Sequence, residues 1–309
     1  MPKVSIIGSG NIGATVAHLI AIKKLADMVL VDVVEGLAEG KALDIHESAP
    51  IEGFDIKIEG SHTYEATKNS DIIVITAGLA RKPGMSRDDL LKKNTEIVKS
   101  VTEQVVKYSP NSILIVVSNP LDAMVFVASE VSKFPKNRIV GMAGILDTSR
   151  FKTFIADELD VSVNDIEAFV LGGHGRYMVP MIQYTNVAGK PLTELLDKDT
   201  IEKLIQRTRD AGIEIVNFLK TGSAYYSPAS SIVEMITSIL KDENKILPCA
   251  AYLDGEYNVK GYFIGVPVKL GKNGIEDVVK FKLDEEETKL FDQTVEHVKK
   301  LSEQTRDLL

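Results

Sequence analysis

The 309-residue chain holds a single cysteine, Cys249, which excludes an intrachain disulfide and any zinc or iron–sulfur site built from several thiolates. An isolated cysteine of this kind reads as a small buried apolar residue. No apolar run is long enough to cross a bilayer. Basic residues do not gather into a run either. With a formal net charge of −8, the chain is poorly suited to gripping nucleic acid phosphates or an anionic lipid surface. Neither nucleic acid nor membrane is an expected partner. There is no Gly/Ser-rich linker, internal repeat or low-complexity segment. Met1-Pro2-Lys3 passes straight into Val4-Ser5-Ile6-Ile7 without a charged leader or a small-residue cleavage site, so a cytoplasmic protein is expected.

What is present has the composition of an ordinary globular protein, 44% hydrophobic and 26% charged. Its length suits two domains or one large α/β domain. Short runs rich in Val and Ile at 4–7, 28–31, 72–76 and 113–117 read as strands buried on both faces. Amphipathic stretches at 12–24, 36–46 and 88–108 read as helices between them. Strand, helix and strand in repetition imply a parallel sheet with right-handed crossovers. After about Gly144 the rhythm changes. Helical stretches are expected at 148–159, 199–220, 230–241 and 284–309, with strand-like segments around 168–171, 249–253, 261–270 and 278–283. With no linker between the halves, an extensive shared interface is expected, which is a usual place for a ligand cleft.

The segment VSIIGSGNIGATVAHLI places Gly8, Gly10 and Gly13 in G-x-G-x-x-G spacing between a buried strand and an amphipathic helix. Such glycines permit a tight turn, approach of backbone to a pyrophosphate and close packing of helix on strand. The helix N-terminus then faces phosphate. Asp32 closes the next strand, where a carboxylate can accept both hydroxyls of a ribose and would repel a 2′-phosphate. No Lys or Arg follows it until Lys41, which favours NAD over NADP. By itself Asp32 also suits a strand-end turn. The fold class expected is α/β, a Rossmann-type parallel-sheet domain over 1–144 followed by an α+β catalytic domain over 145–309.

Of the five histidines, His18, His46, His62 and His297 have plain readings on helices or in a loop. His174 differs, because Gly172-Gly173 and Gly175 leave its imidazole uncrowded at the end of an apolar run. Asp147 and Arg150 stand three apart at the opening of a helix, as an N-cap and a surface cation or as two groups facing one site. Asn119 ends another buried strand, where it serves either a turn or a ligand at the carboxyl edge of the sheet.

Together GSGNIG, Asp32, ITAGLARKPGMSRDDLLKKN, VVSNPLD, GMAGILDTSRF and LGGHG, in this order over nearly the whole chain, resemble the lactate/malate dehydrogenases. Within that family they look most like the lactate-dehydrogenase-like malate dehydrogenases. The resemblance implies NAD as cofactor, held by Gly8, Ser9, Gly10, Asn11, Ile12, Gly13, Asp32, Asn94, Val117, Ser118 and Asn119. It implies a dicarboxylate substrate, malate or oxaloacetate, and hydride transfer to or from its C2. His174 then resembles the general acid/base and Asp147 its partner. Arg150 resembles the bidentate clamp on the C1 carboxylate, and Arg87 the group that polarises the carbonyl, with Asn119 beside the substrate. It further implies a homotetramer or homodimer, a place in the tricarboxylic acid cycle and no metal.

The stretch GLARKPGMSRDD resembles a loop that closes over the substrate, with Arg81 where lactate-specific relatives carry Gln. Arg81 can neutralise the second carboxylate of oxaloacetate, whereas pyruvate would leave it enclosed and unpaired at a cost of about 2–5 kcal/mol. Two residues depart from the family pattern. Ala80 replaces a proline, and Arg176 stands where an Asp is usual, two residues from His174, where its charge either disfavours imidazolium or is turned to solvent or to a carboxylate. Competing readings are a lactate or broader 2-hydroxyacid dehydrogenase, a non-catalytic NAD-binding protein, and an NAD-dependent glycosidase, which would need Cys and His around a metal.

Overall fold

The computed structural model describes residues 1–79 and 86–309. In the first half, strands β1 (Lys3–Ile7), β2 (Asp27–Val31), β3 (Ile58–Ser61), β4 (Ile72–Ile75), β5 (Ile113–Val116) and β6 (Ile139–Gly141) form parallel pairs in the order β3-β2-β1-β4-β5-β6. The chain builds outward from β1 in one direction and then, from β4, in the other. That reversal opens a crevice at the carboxyl ends of β1 and β4.

The strand residues explain the layering. Successive side chains of a strand point to opposite faces. Val4, Ile6, Met28, Leu30, Ile72, Val74, Ile113 and Ile115 enter one apolar core. Ile7, Val29, Val31, Ile73, Ile75, Leu114 and Val116 enter a second. Helices α1 (Asn11–Ile22) and α2 (Leu37–Glu47, followed by the short α3, Ala49–Glu52) cover the first face, and α4 (Arg87–Tyr108) and α5 (Leu121–Ser132) the second. Helix α4 starts on a capping box in which Ser86 and Asp89 satisfy each other's backbone N–H. Helix α5 is buried from Leu121 to Ser129 on every side. Its sequence LDAMVFVAS therefore lacks an amphipathic stripe, and it was foreseeable only as some helix following Asn119.

In the second half, α6 (Gly144–Leu159) leads into short strands β7 (Ile166–Glu167), β8 (Val170–Gly172), β9 (Met178–Pro180), β10 (Asn186–Val187) and β11 (Lys190–Pro191). Then come α7 (Leu192–Leu195), α8 (Lys198–Leu219), α9 (Tyr226–Leu240), β12 (Lys245–Asp254), β13 (Lys260–Gly271), β14 (Gly274–Val278) and α10 (Glu285–Arg306). Strand β12 pairs antiparallel with β6 through Ala250 and Gly141, so the sheet of the first half continues into β12-β13-β14. Helix α9 packs on α1 and joins the first core with Ile232, Val233 and Ile236. Cys249 is fully buried in β12, and burial pushes its thiol pKa upward, which leaves it a poor thiolate ligand.

Several expected elements shift, among them the helix expected over 230–241, which begins at Tyr226, and the strand expected around 249–253, which begins at Lys245. The helix expected over 148–159 begins a turn earlier, at Gly144, and the strand expected over 278–283 lies instead at Gly274–Val278. At the start of α6, Gly144 packs where nothing larger fits. A Cβ there would stand 2.1 Å from the Val170 carbonyl oxygen.

The closest approach in the first half is at Gly13, where a Cβ would stand 1.9 Å from the Gly8 carbonyl oxygen. Gly13→Ala is expected to force α1 off the β1 turn at a cost of about 1–3 kcal/mol or more. Thermal unfolding should show a lowered midpoint, and an unchanged one would contradict this packing.

Candidate active site

The β1 turn delivers Gly8, Ser9 and Gly10 to the start of α1. Gly10 is the N-cap, no side chain caps the helix, and its first turn carries no acidic residue. The leading N–H groups and the positive end of the helix are thus directed at the crevice. A Cβ on Gly10 would meet nothing within 4 Å, so this edge of the loop borders open space. Ser9 is fully buried and its Oγ has no hydrogen-bond partner. The Asp32 carboxylate accepts from the Ser9 N–H at 2.7 Å and the Val34 N–H at 3.0 Å. Each oxygen keeps a lone pair for a ribose hydroxyl. Asn11 is exposed at the first turn, and Ile12 packs against the core below it. These residues fit a dinucleotide, with pyrophosphate at Gly8–Gly13 and ribose at Asp32.

Across the crevice, the Val117 N–H donates to the Ile75 carbonyl at 2.9 Å. The Ser118 hydroxyl donates to the Ala77 carbonyl at 2.5 Å. Asn119 follows and is joined to Pro120 by a cis peptide bond. Asn94 is fully buried on α4. Its amide donates to the carbonyls of Leu79 (3.1 Å) and Asn119 (2.6 Å) and accepts from the Leu79 N–H (2.8 Å). Both of its donors are taken up by backbone, so within the described residues Asn94 ties the segment leading to residue 79 onto the end of β5.

The third side is built around Asp147. Because α6 starts at Gly144 against β8, Asp147 lies one turn inside the helix, and it is 1% exposed. It is therefore no N-cap, nor is Arg150 a surface cation, since that side chain is only 12% exposed. The spacing of three puts both on one helix face. His174 Nδ1 lies 3.0 Å from Asp147 Oδ2, and Arg150 Nη1 lies 3.5 Å from Asp147 Oδ1. The first contact is a hydrogen bond that fixes the imidazole with its proton on Nδ1 toward the carboxylate, leaving Nε2 for a ligand. The second is an ion pair without hydrogen-bond geometry, for Asp147 Oδ1 and the buried Arg150 Nε both lack hydrogen-bond partners. Arg150 thus retains donors for another acceptor.

Asp147 raises the His174 pKa above its ordinary value by its charge, against the opposing effects of burial and of Arg150. Burial lowers that of Arg150, with Asp147 opposing. A second carboxyl, Asp122 in the first turn of α5, is 6% exposed and sits beside this group. Burial pushes its pKa up to about 7, the His174 charge opposing and the Asp147 charge adding. Its sequence context, an acid just after Pro120, reads as an ordinary helix start, so no signal marked it.

His297 was likewise passed over. It stacks on the Tyr177 ring with centroids 4.0 Å apart, and its pKa is lowered by burial and then by Arg176, Arg87 and Lys300. Arg176 lies over the Tyr177 ring at 5.0 Å and is not among the charges acting on His174. Of the alternatives open for Arg176, its described contact is with an aromatic ring and not with the imidazole. Its charge is felt at His297 instead, because the turn after Gly175 carries it toward α10. Arg87 stands exposed at the start of α4. Arg81 and Ala80 lie outside the described residues.

Residues 2–141 match a family model described as lactate/malate dehydrogenase, NAD binding domain, and residues 145–308 match lactate/malate dehydrogenase, alpha/beta C-terminal domain. A malate dehydrogenase of Chlorobium limicola is 59% identical over 92% of either chain. The structure is similar to that of the malate dehydrogenase from Picrophilus torridus in its apo form, with TM-score 0.97, 50% identity and coverage of 99% of this chain and 98% of that one. It is also similar to a lactate dehydrogenase of Cryptosporidium parvum complexed with lactic acid and nicotinamide adenine dinucleotide, with TM-score 0.96, 40% identity and coverage of 99% and 98%.

The charge arrangement sets a titration. His174 followed by NMR should lose its proton above the ordinary value of 6.5, and Asp147→Asn should lower that midpoint by at least about one unit. A raised folded pKa stabilises the fold below the unfolded value, and the gain is lost as pH rises through the folded one. The Tm deficit of the variant should accordingly narrow from pH 6 to pH 9. A deficit that stays constant, with an unmoved midpoint, would exclude the pairing.

Proposed function

The chain belongs to the lactate/malate dehydrogenase family, and we propose that it interconverts (S)-malate and oxaloacetate at the site built around His174. It is an NAD-dependent oxidoreductase acting on a CH–OH group. The observation that carries the chemistry is the buried Asp147 carboxylate shared by His174 and Arg150.

In the oxidising direction His174 Nε2 takes the proton of the substrate hydroxyl, and Asp147 stabilises the imidazolium that forms. Arg150 receives the C1 carboxylate on its planar fork, which its unpartnered, buried Nε supports. Arg87 faces the oxygen on C2, and Asn119 orients it. NAD, when bound along Gly8–Gly13, Asp32 and the 117–119 turn, supplies the acceptor for the hydride. Asn94 acts by holding Asn119 and Leu79 in place. Burial behind α5 and α6 strengthens each of these electrostatic contacts. We place the functional division of the chain between residues 144 and 145, at the first residue of the helix that carries Asp147.

Malate is preferred to lactate because Arg81 offers a charge to the second carboxylate, and because the C. limicola relative is named a malate dehydrogenase. Lactate dehydrogenase is the second reading, supported by a structural likeness to a lactate dehydrogenase at TM-score 0.96 and 40% identity. A non-catalytic NAD-binding protein leaves the convergence of His174, Asp147 and Arg150 without a purpose. We further read the protein as a cytoplasmic homotetramer or homodimer serving the tricarboxylic acid cycle. Exposed apolar side chains on α2 (Leu43) and α8 (Ile213, Phe218) support self-association. Among the described residues no helix is long and apolar enough to cross a membrane.

With NADH, oxaloacetate should be reduced roughly 30- to several-thousand-fold more efficiently than pyruvate, the range set by an enclosed unpaired guanidinium. Arg81→Gln should shift preference toward pyruvate in the same absorbance assay. Equal kcat/KM for both oxo acids in the unaltered enzyme would rule the malate reading out.

A further inference from the structure

One buried ionisable group remains without a task in this scheme. Asp122 follows the turn at Asn119 and Pro120 and lies in the first turn of α5. An acid there ordinarily serves the helix by accepting a backbone N–H. Asp122 does not, since α5 has no side-chain cap hydrogen bond and, among the described residues, Asp122 Oδ1 is buried without a partner. Its other oxygen approaches the catalytic turn instead. Oδ2 stands 3.3 Å from where a Cβ on Gly173 would be, and Gly173 immediately precedes His174. A residue with a side chain at 173 would intrude on that contact.

An unpartnered buried carboxyl is costly, so some other interaction has to account for its position. The charged groups that reach Asp122 are His174 and Asp147. Arg150 acts on His174 from beyond them. On the other elements packed against α5, Arg306 lies over the Phe126 ring and Lys136 holds the Ser129 hydroxyl, one and two turns farther along the helix. From α4, Arg87 acts on His297, and among the described residues the charges that act on Asp122 are those of the imidazole pair.

From this placement we propose that Asp122 is a positioning residue for the proton of His174, a second buried carboxyl that acts with Asp147 to set how firmly the imidazole holds it. The proposal rests on His174 being the acid/base of the reaction. With the imidazole neutral, two carboxyls share one dry space, and Asp122 keeps a proton. When the imidazole becomes charged, Asp122 ionises more readily, and its negative charge then stabilises imidazolium across space. The two titrations belong to one coupled system. Its position near pH 7 agrees with the upward displacement of the Asp122 carboxyl.

The test is the NMR titration of His174 in the cofactor-free protein, unaltered and as Asp122→Asn, which keeps the shape of the neutral acid. The midpoint should fall by about one pH unit in the variant. The decline of kcat/KM for oxaloacetate with rising pH should move down by a similar amount. Asp122→Ser repeats both measurements should the Asn variant not fold. An unchanged midpoint in a folded variant overturns the proposal, as does a uniform loss of rate with an unmoved pH profile, which marks a merely structural role. A shifted titration in a protein that reduces neither oxo acid would uphold the link between Asp122 and His174 and defeat the malate reading instead.

Discussion

One buried carboxylate, Asp147, holds a histidine on one oxygen and faces an arginine with the other. Removing it would leave a guanidinium and an imidazole in a poorly solvated space with, among the described residues, only Asp122 to offset them. Its location follows from packing. Gly144 lets α6 begin in contact with β8, the spacing of three aligns Arg150 with Asp147, and the glycines at 173 and 175 leave His174 free to meet Asp147. The electrostatics then follow from geometry. Asp147 favours the charged imidazole, while its looser contact with Arg150 leaves guanidinium donors available for a substrate carboxylate.

The sheet joins this group to the dinucleotide crevice. Alternating Val and Ile residues divide between two cores, which fixes the strands and leaves the turns at their carboxyl ends to carry function. Backbone amides of the glycine turn and the Asp32 carboxylate lie on one side of the switch point, and the 117–119 turn, braced by Ser118 and Asn94, lies on the other. Asp122 is three residues beyond Asn119 and touches the turn that bears His174. The start of α5 is thus the place where cofactor side and catalytic side meet.

Four strands of the first half (β1, β2, β4 and β5), the glycine turn and Asp32 were legible in the sequence from local patterns. Strands β3 and β6 were not expected, and Asp147, Arg150 and His174 were singled out locally while their grouping came from the family resemblance. Short continuous apolar runs, a fixed glycine spacing and an i, i+3 pair need no knowledge of distant chain. What escaped depends on contacts remote in sequence. Helix α5 is buried all round and so lacks the polar face that reveals a helix. Gly144 opens α6 only because Val170, 26 residues on, leaves no room for a side chain. Asp122 and His297 owe their environments to the 173–177 turn and to α10. Arg176 shows the same limit from the other direction. Its nearness to His174 in sequence suggested a shared side, yet the turn directs it to the Tyr177 ring.

The central claim is that His174, sustained by Asp147, holds the proton that meets the oxygen on substrate C2. Calorimetry of a non-reducible dicarboxylate analogue binding to the enzyme–NADH complex, in buffers of differing ionisation enthalpy, reads that proton directly. Above the His174 midpoint, uptake should rise toward about one proton per site, with affinity falling as pH increases. Tight binding with no proton uptake at any pH would show that the imidazole proton has no part in recognising the substrate.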